Sequence, residues 1–189
     1  MPPLKAKILG GDETAFTRLY ELFYKRLYGF SLSLVKVSDI ANEVVEDVFM
    51  KLWTNRSLLE NVENLSVYLY IAVKNQSLNR LSAKAKEWMV SGLDDLEMDV
   101  ALISADPYTH TITNEMLRRV NTAIEQLPPR CKMIFKLVRE DGLKYKDVAA
   151  ILNISVNTID VQMATAVKRI STALGISKNI PQQQSIKKS

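Results

Sequence analysis

The chain has 189 residues, 47% of them apolar, a formal net charge of +4, one cysteine and one histidine. That is enough apolar material for a real core, in one domain or two small ones, while a lone Cys131 excludes an internal disulfide framework and, with a lone His110, argues against a zinc site. No apolar run approaches the roughly 20 residues that span a bilayer, and Met1-Pro2-Pro3-Leu4 lacks the basic-then-apolar pattern of a secretion signal, so the expectation is a soluble cytoplasmic protein.

Apolar residues recur at helical rather than alternating spacing, and six glycines and six prolines are too few for a turn-rich β protein. Gly10-Gly11-Asp12 opens the first predicted helix, with Asp12 as its N-cap and Phe16, Leu19, Tyr20, Phe23, Leu27 and Phe30 along one side. Ser38 is the expected cap of a second helix, about Asp39 to Trp53. Its buried face is Ile40, Val44, Val48, Phe49 and Leu52; its open face is Asn42, Glu43, Glu46, Asp47, Met50 and Lys51. A polar loop, Thr54 to Asn64, precedes a third helix from about Leu65 to Leu81, carrying Tyr68, Leu69, Ala72, Val73 and Leu78.

From Ser82 to Thr113 the periodicity weakens and acids accumulate. A structureless stretch of that length inside one compact domain is unusual, so it reads as a linker between two. Periodicity returns at Asn114, with Met116, Leu117, Val120, Ala123, Ile124 and Leu127. Pro128-Pro129 breaks the chain, and Pro129 suits the first turn of the next helix, which carries Ile134, Phe135, Leu137 and Val138 and stops near Asp141-Gly142. The tail from Ser177 is rich in Gln, Lys and Ser and has the composition of a disordered end.

Leu143 to Ala173 has the form of two helices around a tight turn. The first, about Lys144 to Leu152, shows Val148, Ala149, Ile151 and Leu152 to a core. Asn153 tolerates the left-handed backbone that ends a helix without glycine, and Ser155 is a good N-cap for the second. There Ile159, Met163, Val167 and Ile170 mark a buried face, and Asn157, Thr158, Asp160, Gln162, Thr165, Lys168 and Arg169 an open one. A capped, polar second helix braced by a first is the arrangement that reads bases in the major groove. Charge agrees. Residues 1–81 carry +1, 82–113 carry −4, 114–175 carry +4 and the tail +3, so the cationic surplus lies with the region of this helix pair and with the tail.

Two separated stretches match one family. Ala41-Asn42-Glu43-Val44-Val45-Glu46-Asp47-Val48-Phe49-Met50-Lys51-Leu52-Trp53 resembles the Ala-Glu-Asp-Ile-Val-Gln-Asp-Val-Phe-x-x-Leu-Trp block of extracytoplasmic-function sigma factors of the sigma-70 family. Tyr68 to Asn75 is similar to the family's Tyr-Leu-x-x-Ile-Ala-Arg-Asn. Leu127-Pro128-Pro129-Arg130, Asp141 to Ala149 and Ile154 to Ile159 are similar to its C-terminal motifs. The departures are Ala-Asn-Glu for Ala-Glu-Asp, Glu46 for the usual glutamine, and a recognition helix with Asp160, Met163, Ala164 and Thr165 where relatives often offer Lys, Arg or His.

The resemblance implies an all-α chain of two small helical domains and a flexible acidic linker: region 2 in residues 1–81, the linker 82–113, region 4 in 114–175 and a disordered tail 176–189. It implies no catalytic centre and no cofactor. The expected partners are RNA polymerase core enzyme (the β′ clamp helices and the β flap), promoter DNA and an anti-sigma factor. Glu43, Glu46, Asp47, Met50 and Lys51 are the implied clamp contact; a plain solvated helix face is the alternative. Asn61, Asn64, Tyr68 and Asn75 supply amide and stacking groups for a base that leaves the stack at the −10 element, with Lys74 and Arg80 holding the backbone. At the −35 element Ser155, Asn157, Thr158, Gln162 and Thr165 are the base-side and backbone candidates, and Arg130, Lys144, Lys146, Lys168 and Arg169 the phosphate candidates. Phe49, Trp53, Cys131 and Tyr145 are expected in the core, and His110 in the linker has no ligand set around it. A conventional helix-turn-helix regulator, with residues 1–81 sensing a ligand or dimerising, is the competing function; the 41–53 block and Tyr68 to Asn75 separate the two.

Overall fold

A computed structural model describes residues 2–81 and 111–176, all helix and connection with no strand. The expectations for the acidic stretch up to His110 and for the tail from Ser177 lie outside these residues. The elements are α1 (Pro2–Leu9), α2 (Glu13–Val35), α3 (Ser38–Thr54), a 3-10 turn (Arg56–Asn61), α4 (Leu65–Arg80), α5 (Thr111–Glu125), α6 (Pro129–Arg139), α7 (Tyr145–Leu152) and α8 (Val156–Ala173).

Helix α1 was not anticipated. Its eight residues carry little periodic signal, yet Ile8 is fully buried and the helix packs on α2 and on the 3-10 turn. Gly11 closes it at φ +84°, a conformation that needs glycine. Asp12 then caps α2 as expected, its carboxylate accepting from the Ala15 amide at 2.9 Å. Helix α2 lies against α3 and α4 and buries Ala15, Leu19, Phe23, Leu27, Phe30 and Leu34. Ser31 and Ser77, both fully buried, share a hydrogen bond of 3.0 Å that pins α2 to α4. Each wholly buried aliphatic side chain in this set contributes about 1.5–3 kcal/mol.

Three local expectations change. Ser38 is the first residue of α3 and not its cap; extended Val37 holds the cap position, without a side-chain bond. The polar loop Thr54 to Asn64 contains the 3-10 turn, because Leu59 is drawn into the core at 1% exposure. Helix α5 begins at Thr111, three residues before the predicted boundary.

The C-terminal helices follow the sequence more closely. Pro129 opens α6. Asn153 ends α7 in the left-handed region at φ 56°, ψ 48°. Ser155 caps α8, its hydroxyl accepting from the Thr158 amide at 3.0 Å. On α8, however, Val167 is exposed and Ala166 is buried in its place beside Ile159 and Met163. Helices α5, α6 and α7 each pack on α8. A small cluster of Ile124, Leu127, Cys131 and Ala166 forms one side of this unit. The main core is continuous across both units, running from Phe30, Tyr70 and Val73 to Met133, Leu137, Val148 and Ile151, with α4 lying directly on α7.

Replacing Ser155 by Ala removes the α8 cap and should cost about 1 kcal/mol of stability, read as a lower urea midpoint with an unchanged slope. Ser155→Asp should retain most of it. An unchanged midpoint in the alanine variant would mean the cap bond contributes nothing.

Candidate nucleic-acid and partner interface

The expected clamp face is continuous on α3. Glu43, Glu46, Met50 and Lys51 are exposed and Asp47 is half-buried, with Met50 at 69% the most open large apolar side chain of the face. Beside it, α2 and α3 form a groove lined by Phe16, Tyr20, Phe49, Met50 and Trp53, with Glu13 and Glu46 at its edges. The rings interlock: Phe16 to Trp53 at 4.8 Å, Tyr20 to Phe49 at 4.9 Å and Tyr20 to Tyr24 at 5.0 Å between centroids. Phe49 is core, as expected. Trp53 is only half-buried and lies under the Arg56 guanidinium at 5.0 Å, an arrangement the periodicity alone did not distinguish from core.

This face and the C-terminal end of α4 form one network. Arg80 donates to Asp47 at 2.7 Å and to Glu43 at 3.2 Å. Gln76 donates to Asp47 at 3.0 Å and accepts from Lys51 at 3.1 Å. The Arg80 hydrogen bond holds the Asp47 carboxyl below its ordinary range, against a smaller opposing push from burial. Asn42 bridges inward, accepting from the Tyr24 hydroxyl and donating to Glu46 at 2.9 Å. Arg80, expected among the −10 residues, thus sits with the clamp set.

The six −10 candidates do not make one patch. Asn64 caps α4 through the Val67 amide at 3.3 Å, and Asn61 is exposed at the end of the 3-10 turn. Tyr68 is half-buried against the core, and Asn75 is exposed. Asn64, Tyr68 and Asn75 share one stripe of the helix by their spacing of four and seven. Lys74 and Arg80 lie off that stripe, Lys74 toward α7 and Arg80 toward α3. Lys74 is half-buried and donates to the Ile151 carbonyl at the end of α7, at 2.6 Å; desolvation lowers its pKa.

Two groups near these residues escaped the sequence reading. Lys5 on α1 donates to the carbonyls of Glu60 at 3.1 Å and Val62 at 2.7 Å. It grips the backbone on both sides of Asn61, and a lone basic residue 55 positions away leaves no periodic trace. Tyr70, 1% exposed, donates to the Asp141 carboxylate at 2.5 Å, and Arg26 faces the same carboxylate at 3.9 Å. Burial pushes the Asp141 carboxyl up while Tyr70 and Arg26 pull it down, leaving it raised. The Tyr70 phenol is also raised, first by burial and then by Asp141.

In the C-terminal unit Asn157, Lys168 and Arg169 are exposed on α8, and Thr158, Gln162 and Thr165 are partly so. Ser155 and Thr158 are joined in the cap, with their hydroxyls 2.8 Å apart. Thr165 back-bonds to the Val161 carbonyl at 2.9 Å. Lys144 and Lys146 stand exposed at the start of α7, while Arg130 is half-buried on α6. Val161, 54% exposed, stands between Asn157 and Thr165 on the open face and was not singled out. Asp160 is exposed, and Tyr145 is half-buried and packed on the core. Behind this face, Glu125 accepts from Lys132 at 3.1 Å and from Lys136 at 2.9 Å, fastening α5 to α6. Among the described residues no group of His, Cys, Asp and Glu is placed to hold a metal ion, and no helix is long and apolar enough to cross a membrane.

Comparison with known proteins gives the same division. Residues 19–87 match Sigma-70 region 2 and residues 117–170 match Sigma-70, region 4, together more than half of the chain. Among curated relatives, the ECF RNA polymerase sigma factor SigK of Mycobacterium tuberculosis is 19% identical over 92% of this chain and 93% of its own. The ECF RNA polymerase sigma-E factor of Haemophilus influenzae is 24% identical over 82% and 85%. Two solved structures share the fold. One is RpoE from Bartonella quintana, in complex with the anti-sigma factor NepR, with TM-score 0.59, 23% identity and coverage of 86% of this chain and 98% of that one. The other is CnrH, in complex with the cytosolic domain of CnrY, with TM-score 0.55, 17% identity and coverage of 93% and 97%. With both regions present in that order and relatives aligned along nearly the whole length, the chain belongs to the sigma-70 family of RNA polymerase sigma factors, in its extracytoplasmic-function group.

Proposed function

We propose that this protein is an alternative sigma factor that brings RNA polymerase core enzyme to a defined set of promoters and assists duplex opening there, working in the cytoplasm by binding and not by catalysis. The reading is carried by one observation. Two units from two regions of one family each keep an exposed polar helix face: α3 with Glu43, Glu46, Met50 and Lys51, and α8 with Asn157, Lys168 and Arg169. Residues 1–81 serve as the polymerase- and −10-binding domain, 82–110 as the tether and 111–175 as the −35-binding domain, which also meets the β flap.

The α3 face, with the aromatic groove beside it, suits the β′ clamp helices. Acidic Glu43, Glu46 and Asp47 surround an open methionine, so charge orients the docking and apolar area strengthens it. The stripe Asn64, Tyr68 and Asn75, with Asn61 on the turn before it, suits an unstacked base of the −10 element, offering amides beside a phenol ring. Lys5 fixes the backbone that carries Asn61. Asn157 and Gln162 suit base edges of the −35 element, Asn and Gln pairing bidentately with adenine. Lys144, Lys146, Lys168 and Arg169 suit phosphates. One solved neighbour, RpoE, was captured with the anti-sigma factor NepR, and an anti-sigma factor is the expected restraint here.

Runoff transcription with purified core polymerase tests the reading: specific transcripts should require this protein. Tight DNA binding by the protein alone, with no promoter-specific transcript on adding core, would favour a conventional repressor or activator.

Asp47→Arg reverses a charge at the centre of the α3 face and sets it beside Arg80. It should weaken core-polymerase binding about tenfold or more, with DNA binding by the C-terminal unit unaltered. Equal core affinity in the variant removes the clamp assignment.

Lys168→Ala should lower DNA affinity across unrelated sequences and reduce the slope of log K against log salt by about 0.9. A loss confined to one base position would make Lys168 a base reader instead.

A further inference from the structure

We propose that the two helical units are latched together by Tyr70, Asp141, Arg26 and Lys74, and that the latched state of the free protein opposes engagement of polymerase until the units separate; the functional half of this rests on the sigma-factor reading above.

The latch has three parts. The Tyr70 hydroxyl, carried on α4, reaches the Asp141 carboxylate beyond the end of α6 at 2.5 Å. Arg26 on α2 lies 3.9 Å from the second oxygen of that carboxylate. Lys74, one turn further along α4, places its ammonium on the Ile151 carbonyl at 2.6 Å. That carbonyl is in the last turn of α7, where helix carbonyls have no partner of their own and the helix presents its negative end. Between these polar ties the apolar core is unbroken, joining Phe30, Tyr70 and Val73 to Met133, Leu137 and Ile151.

Distances show why this state conflicts with function. Packed helices such as α4 and α7 have axes about 8–10 Å apart. The −10 and −35 elements are separated by about 25 base steps, roughly 85 Å along straight duplex at 3.4 Å per step. A unit at each element cannot keep α4 on α7. The 29 residues from 82 to 110 reach at most about 100 Å when fully extended, so the chain length permits separation. Lys74 is also withheld, since its ammonium is spent on Ile151 while the units are closed. Opening costs free energy, and the apparent affinity for any partner that holds the units apart falls by the fraction of open molecules.

The test uses the full-length protein and core polymerase. Tyr70→Phe keeps the packed ring and removes the donor. Arg26→Glu acts at a side chain that is half-exposed, so it should not disturb the core, and sets two carboxylates facing each other. Small-angle scattering of each free variant should give a larger radius of gyration than the wild type, and each should bind core polymerase about three- to tenfold tighter. If Tyr70→Phe loses helical content by circular dichroism, Arg26→Glu decides alone. A wild-type radius in Arg26→Glu overturns the latch. An expanded variant with no gain in core affinity overturns the claim that the latch restrains function. If neither wild type nor variant binds core at all, the sigma-factor reading fails and the scattering result still decides whether the latch exists.

Discussion

The buried hydroxyl of Tyr70 ties the structure together. A phenol can be taken out of water only if its hydroxyl finds an acceptor, and within its own unit α4 offers none that is used. The acceptor comes from the other unit, as Asp141. That carboxylate is itself mostly buried and is tolerable there because Tyr70 and Arg26 answer it. An arrangement of this kind is weak evidence for stability and better evidence for a preferred register, since an apolar pair would pack as well but would accept more than one alignment. The two units of this chain are therefore placed, not merely in contact.

Helix α4 is the element on which the proposed tasks converge. Its first turn, capped by Asn64, presents Asn64 and Tyr68. Its middle buries Leu69, Tyr70 and Val73 and supports α7. Its last turns send Gln76 and Arg80 across to Asp47 and Glu43 on α3. One rigid rod of about 24 Å, at 1.5 Å per residue, thus joins the proposed promoter-opening residues to the proposed polymerase face. The Arg80 pair and the shared core fasten α3 to the helix that carries Asn64, Tyr68 and Asn75.

The parts legible in the sequence were those encoded by neighbours. Asn153 and Ser155 announce a left-handed helix end and a cap by residue type alone, and both geometries are present. Apolar spacing gave α2, α3, α4 and α8 because a helix buries residues three and four apart. The misses are of two kinds, local and long-range. Ser38 is a good cap by type, but extended Val37 takes the cap position. Val167 and Ala166 are adjacent, and it is Ala166 that packs with Ile124, Leu127 and Cys131 while Val167 is exposed. Lys5 on the Glu60 and Val62 carbonyls, Arg80 on Asp47 and Lys74 on Ile151 are pairings across 33 to 77 positions. No periodicity records such pairs. Of the candidate site, the polar side chains on the open face of α8 were readable, though not Val161 among them, while the division of the −10 candidates among a cap, a stripe, a latch and an ion network was not.

The thin positive charge of α8 is understandable in this setting. Lys168 and Arg169 are its only cations, and each phosphate contact releases about one counterion, so a helix with so few loses little affinity to salt but starts with little. Two weak sites held on one particle gain effective concentration for each other, and avidity exceeds either affinity by orders of magnitude when their separation matches the target. Under the proposed latch the same arithmetic makes closure a restraint. A latched molecule could not place both proposed sites at once and would keep the affinity of one handhold. A polymerase bound on the α3 face and holding the units apart would supply the spacing that lets the two act together.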